Sequence, residues 1–192
     1  MALGAVAKER NFVQPEIVEQ PMLAIQGGRH PLHELMLDTF IKNDAYLNSS
    51  DRSCCLITGP NSSGKSTYLK MVGCIIVLAH IGSYVPATKA IIGVTDKLLV
   101  RVSSCKPQSC LEPRSEFTSD LNQVCSLCRK FTPKSVCLID DFGKSTSPVD
   151  GLALLATLIE MLTLSKARTI LTLPFPDLLS HEIISPDVLN QT

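Results

Sequence analysis

The run from Gly59 to Thr67, GPNSSGKST, constrains this chain more than any other stretch. It has the spacing of a phosphate-binding loop: a glycine, four residues, then Gly64, Lys65 and Ser66. Such a loop works between a strand and a helix, and the flanks suit it. Cys54 to Thr58 is a short apolar run expected to be a strand, and Tyr68 to Ala79 is expected to be a helix. Gly59 and Gly64 let the backbone curl so that its N–H groups point inward at phosphate oxygens. The positive end of the following helix adds to the attraction. In this pattern Pro60, Asn61, Ser62, Ser63 and Thr67 complete the cradle. Lys65 reaches the β- and γ-phosphates, and Ser66 offers its hydroxyl to Mg²⁺.

A phosphate loop also needs a carboxylate for the metal. Val136 to Ile139 is an apolar run that ends in Asp140 and Asp141. Ligands of open parallel sheets bind beyond the carboxyl ends of the strands. Asp140 is therefore expected beside the loop as the Mg²⁺ acid, and Asp141 as the acid that polarises the attacking water.

The rest of the chain supplies the expected sheet. Strands are expected at Met22–Ile25, Leu98–Ser103, Ser135–Ile139 and Arg168–Leu173, and helices at Glu116–Lys130 and Val149–Leu164. Residues Met1 to Gln20 are weakly patterned, and Gln26 to Pro31 is expected to be a turn. Strands alternating with helices argue an α/β fold with a mostly parallel sheet flanked by helices. At 192 residues the chain is the size of one domain. Eighteen basic residues balance eighteen acidic ones, which is not the footprint of a free-standing nucleic-acid binder. No apolar run approaches the ~20 residues that span a bilayer, so a soluble intracellular protein and no membrane contact are expected. Of the eight cysteines, Cys54, Cys55 and Cys137 are expected in buried strands. Cys125 and Cys128 fall in a helical stretch and do not make a convincing zinc site.

Further stretches, in order, carry a resemblance. GGRHP at Gly27–Pro31, FIKND at Phe40–Asp44, the loop itself, IGSYVPA at Ile81–Ala87, the run around Ser115 and DDFGKSTSPVDGLALLA at Asp140–Ala156 are similar to the ATPase domain of the MutS family of DNA mismatch-recognition proteins. Ser62-Ser63, DLNQV at Asp120–Val124 and the FGKST run look closest to its meiotic, crossover-promoting branch, the fifth eukaryotic homologue. The resemblance implies a P-loop NTPase of ABC type that takes ATP and Mg²⁺. It implies pairing with a second MutS subunit, as a heterodimer or homodimer, with Ser115 presented in trans to the γ-phosphate. Phe40 and Ile41 would lie against adenine. It implies a nuclear protein, with DNA contacted by domains missing from this chain. The expected division is a lead-in over 1–25, the ATPase domain over 26–180 and a truncated tail over 181–192.

Three departures from the family pattern bear on activity. The family's Asp-Glu is Asp140-Asp141 here. Asp is a methylene shorter, and a carboxylate misplaced by about 1 Å can cost on the order of 10²-fold in rate. A histidine or asparagine that reads the γ-phosphate is matched by Pro174, which offers no donor. Glu116 follows Ser115 and puts an acid near a polyphosphate. The expected activity is that of an ATP-binding, DNA-dependent ATPase module of a MutS homologue in meiotic recombination. A mismatch-repair homologue, or a nucleotide-binding dimerisation module with little hydrolysis, is the alternative.

Overall fold

The computed structural model describes residues 2–50, 52–102, 116–173 and 188–191. The chain is α/β and has two sheets. The first has four strands in the order β1-β5-β2-β3, namely Glu16–Val18, Lys89–Gly93, Met22–Gly28 and Asn43–Asn48. β2 is antiparallel to both β3 and β5, and β1 is parallel to β5. The second has five parallel strands in the order β6-β7-β8-β4-β9, namely Leu98–Arg101, Val136–Ile139, Arg168–Thr172, Cys54–Ile57 and Val188–Gln191.

The helix α3, Lys65–His80, lies between the sheets. One side packs on Leu23, Ile25, Ala45, Leu47 and Ile92 of the first sheet, the other on Cys55, Val136, Leu138 and Ile170 of the second. A helix clasped on both sides must be apolar nearly all round, and Leu69, Met71, Val72, Ile75, Ile76 and Ala79 are all buried. Gly73 allows the close approach: a Cβ there would stand 3.1 Å from the Leu138 side chain. On the outer face of the parallel sheet, α4 (Glu116–Cys128) and α5 (Pro148–Ser165) bury Val124, Leu155, Leu158, Ile159 and Leu162 against Cys54, Leu56, Cys137 and Leu171. Covered on both faces, these strands read as continuous apolar runs. The expected burial of Cys54, Cys55 and Cys137 holds, and burial pushes the Cys137 thiol up to about 12.

The parallel sheet matches expectation, and the mixed sheet corrects it. β3, β5 and β9 were not expected as strands. Neither were α1 (Ala2–Glu9) and β1 in the weakly patterned opening, and β2 runs on through the expected turn to Gly28. β2, β3 and β5 bury one face, and the apolar residues Ala24, Tyr46 and Ile91 on the other face blur their alternation. α5 also corrects the statement about apolar runs. It is 18 residues long and, by length and composition, apolar enough to cross a membrane; here one face, with Leu155, Leu158, Ile159 and Leu162, packs against the sheet.

Candidate functional site

The phosphate loop leaves β4 after Ile57 and enters α3 at Lys65, three residues earlier than the helix was expected. The turn into the helix is made by Gly64 at φ 102 and Ser62 at φ 65, both left-handed. Glycine takes this conformation freely, and serine does so at some cost. The Lys65 ammonium folds back on the loop and donates to the carbonyls of Gly59 at 2.7 Å and Pro60 at 3.1 Å. The N-terminal turn of α3 thus faces outward with a cation beside it, an arrangement suited to anions.

Two adjoining hollows open at this loop. A cleft of about 790 Å³ is lined by Phe40, Ile41, Leu37 and His33 on one side and by Gly59, Pro60, Ser63, Gly64, Lys65 and Thr67 on the other. A smaller hollow of about 190 Å³ is lined by Asn61, Ser62, Gly64, Lys65, Ser66, Thr67 and Asp141. Phe40 and Ile41, distant in sequence from the loop, thus share a wall with it, and Asp141 faces the loop's other side. The first cleft suits a flat apolar group joined to phosphates, the second a polar charged one.

Asp140 is joined to the smaller hollow through Ser66, which lines it. It is 1% exposed. Its Oδ2 accepts the Ser66 hydroxyl at 2.7 Å and its Oδ1 lies 2.9 Å from the Thr172 hydroxyl. The Thr172 hydroxyl is also 3.0 Å from Asp141 Oδ1 and accepts the Asp141 N–H at 2.8 Å. Asp141 is left-handed, at φ 43. With its proton on Asp140, Ser66 keeps lone pairs free for a cation. A neutral hydroxyl, a buried carboxylate and a second acid nearby are the hard oxygen donors that Mg²⁺ prefers, so these residues fit that ion.

Behind the acids, the buried guanidinium of Arg101 on β6 donates to the Asp140 carbonyl and to Asp120 Oδ2 on α4. Arg101, Asp120 and Thr172 were not singled out from the sequence. Arg101 sits at an inward position on a strand and offers no motif, and Asp120 entered only as the first residue of the DLNQV run, with no role of its own. Thr172 ends a strand run and was read only as part of it. Ser115 and Pro174, given roles through the resemblance, lie outside the described residues.

Residues 55–192 match the family MutS domain V. Among curated relatives, the chain is 36% identical to a DNA mismatch repair protein MutS from Carboxydothermus hydrogenoformans, aligned over 100% of this chain and 23% of that protein. It is 39% identical to the protein of the same name from Alkaliphilus oremlandii, over 80% of this chain and 17% of that one. With that of Roseiflexus castenholzii the identity is 41%, over 83% of this chain and 14% of the relative. The chain therefore spans less than a quarter of the length of these relatives.

Proposed function

The chain belongs to the MutS family, through its domain V, and from that premise we propose that it is the ATP-binding module of a mismatch-repair MutS homologue, an ATPase of ABC type. The observation that carries the proposal is the bond from Ser66 of the phosphate loop to Asp140, 2.7 Å, with Asp141 lining the same hollow. The relatives' printed name favours mismatch repair over the meiotic role. The meiotic, nuclear reading would rest on Ser62-Ser63, Asp120–Val124 and the FGKST run alone.

In this reading Phe40 and Ile41 take the adenine between them and the loop. The Lys65 ammonium exchanges the carbonyls of Gly59 and Pro60 for phosphate oxygens, where its hydrogen bonds are charge-assisted and stronger. The backbone from Gly59 to Thr67 cradles the phosphates. Ser66 and Asp140 hold the cation. Bound there, Mg²⁺ supplies neutralisation of the charge on the β- and γ-phosphate oxygens. Asp141 accepts a hydrogen bond from the attacking water. A second MutS subunit completes the site with its own Ser115, and DNA is contacted through other domains.

Turnover is expected to be slow, because Asp141 is shorter than the glutamate that the family pattern has at this position. This favours the second reading, a module that uses ATP chiefly as a clasp between subunits. Titration with Mg·ATP tests the common part. Lys65→Ala should lose affinity by about tenfold or more, with its melting temperature held close to the parent's. Equal binding by the variant would refute the site.

A further inference from the structure

Thr172 ends β8, the strand that separates β4, which feeds the phosphate loop, from β7, which delivers the two acids. In register it stands beside Ile57 on one side, while its preceding neighbour Leu171 pairs with Ile139 on the other. Its hydroxyl therefore meets Asp140 and Asp141 where the chain leaves β7. All of its side-chain hydrogen bonds described above go to these two residues. The resemblance assigns Thr172 nothing.

The chemistry of the contact is demanding. A hydroxyl has one proton to give, and here two carboxylate oxygens lie within 3.0 Å of it. Asp140 is buried, and a buried carboxylate without donors is strongly disfavoured. Its two oxygens are served by Ser66 and Thr172. Asp141 is left-handed, a conformation that a non-glycine residue keeps only when its surroundings hold it. The bond from its N–H to Thr172 is one such restraint. Remove the hydroxyl, and Asp140 Oδ1 loses its donor while the turn at Asp141 loses a tether.

We propose that Thr172 is a positioning residue that aims Asp140 at the divalent cation of the nucleotide and tethers the turn at Asp141 beside it. The role rests on the nucleotide-site reading above. It makes a specific demand: Thr172 governs the part of nucleotide binding that depends on the metal, and leaves the part made by the loop.

The test is a titration of the full chain with ATP, once with Mg²⁺ and once with EDTA, for the parent, Thr172→Val, Thr172→Ala and Thr172→Ser. The parent should bind ATP more tightly with Mg²⁺. Thr172→Val should match the parent in EDTA within about twofold and lose on the order of tenfold of the Mg²⁺ enhancement, the usual scale for removing a partner that orients a metal ligand. Thr172→Ser should recover most of it, because the hydroxyl returns without the methyl. Thr172→Ala serves the same purpose should the buried valine perturb folding, which circular dichroism would reveal. Undiminished enhancement in both hydroxyl-free variants overturns the proposal. So does a fall of the same size with and without Mg²⁺, since that marks a general structural role. A parent that binds ATP equally with and without Mg²⁺ overturns this inference alone. A parent that binds no ATP in either condition overturns the nucleotide site, and this inference with it.

Discussion

At the scale of single residues, the proposed site makes Asp141 the residue that sets turnover. Its carboxylate borders the hollow on the far side of the loop, with Oδ1 3.0 Å from Thr172. Asp140 serves the metal whichever acid stands next to it, so ground-state binding should depend little on residue 141. A group that acts on the attacking water alone is felt in the transition state and appears in kcat. Asp141→Glu should therefore raise kcat by about tenfold or more and leave the affinity for Mg·ATP within about twofold. Steady-state ATPase assays at concentrations high enough to pair subunits check this. A slower Asp141→Glu enzyme would mean that Asp141 is not a shortened water-orienting acid.

At the scale of elements, the wall opposite the loop depends on a four-residue helix, α2, His33–Met36. So short a helix is not stable by itself. Its start is held by His30, whose Nδ1 accepts the N–H groups of Leu32 at 3.2 Å and His33 at 3.3 Å, and whose ring stacks on His33. That role needs a neutral ring. Burial first, then the charges of His33 and Lys70, lower the His30 pKa from its ordinary 6.5, against a smaller opposing backbone hydrogen bond. The unfolded segment thus takes up its proton before the folded one does. The stability contributed by His30 is complete above pH 6.5 and is lost as pH falls from there through the lowered folded value. Amide exchange at Leu32 and His33 should accelerate as pH falls below 6.5, beyond the intrinsic effect of pH. His30→Asn, which keeps an acceptor without a titrating proton, should flatten the dependence. An unchanged profile in that variant would assign the effect to another group.

At the scale of the molecule, the proposed nucleotide site is divided between two sheets. The wall with Phe40 and Ile41 precedes β3 of the mixed sheet, while the loop and acids extend from the parallel sheet. Beyond α3, the sheets are joined by Arg168. This fully buried side chain starts β8 and donates to the carbonyls of Met22 at 2.9 Å and Gly93 at 3.3 Å in the mixed sheet, to Thr95 Oγ1 at 3.0 Å and to the Lys134 carbonyl at 2.7 Å. Burial lowers its pKa to about 10, so it remains a cation at neutral pH. Lysine lacks the planar fork that serves several carbonyls at once. Arg168→Met takes the shared donor from these acceptors and should cost about 3 kcal/mol in urea unfolding. If the variant is as stable as the parent, the two sheets are held by α3 alone. Where it still folds, its affinity for ATP should fall more than its affinity for tripolyphosphate, because the adenine wall shifts relative to the loop.

The phosphate loop, its flanking strand and helix, and the acid pair after β7 were legible in the sequence because each is a contiguous run whose chemistry is local. Glycines at the turns, Lys65 and Ser66 at the mouth of a helix, and acids at the end of an apolar strand need no distant partner to be recognised. Phe40 and Ile41 were legible through resemblance; their own composition would have read as core. The mixed sheet was not legible, because Ala24, Tyr46 and Ile91 put apolar side chains on its outward face and hide the alternation. Thr172, Arg101 and Asp120 were decided by tertiary structure alone. Each matters through a neighbour in another strand or helix, and the strand order that sets β8 between β4 and β7 arises from how α3, α4 and α5 cover the sheet, which no short stretch of the chain encodes.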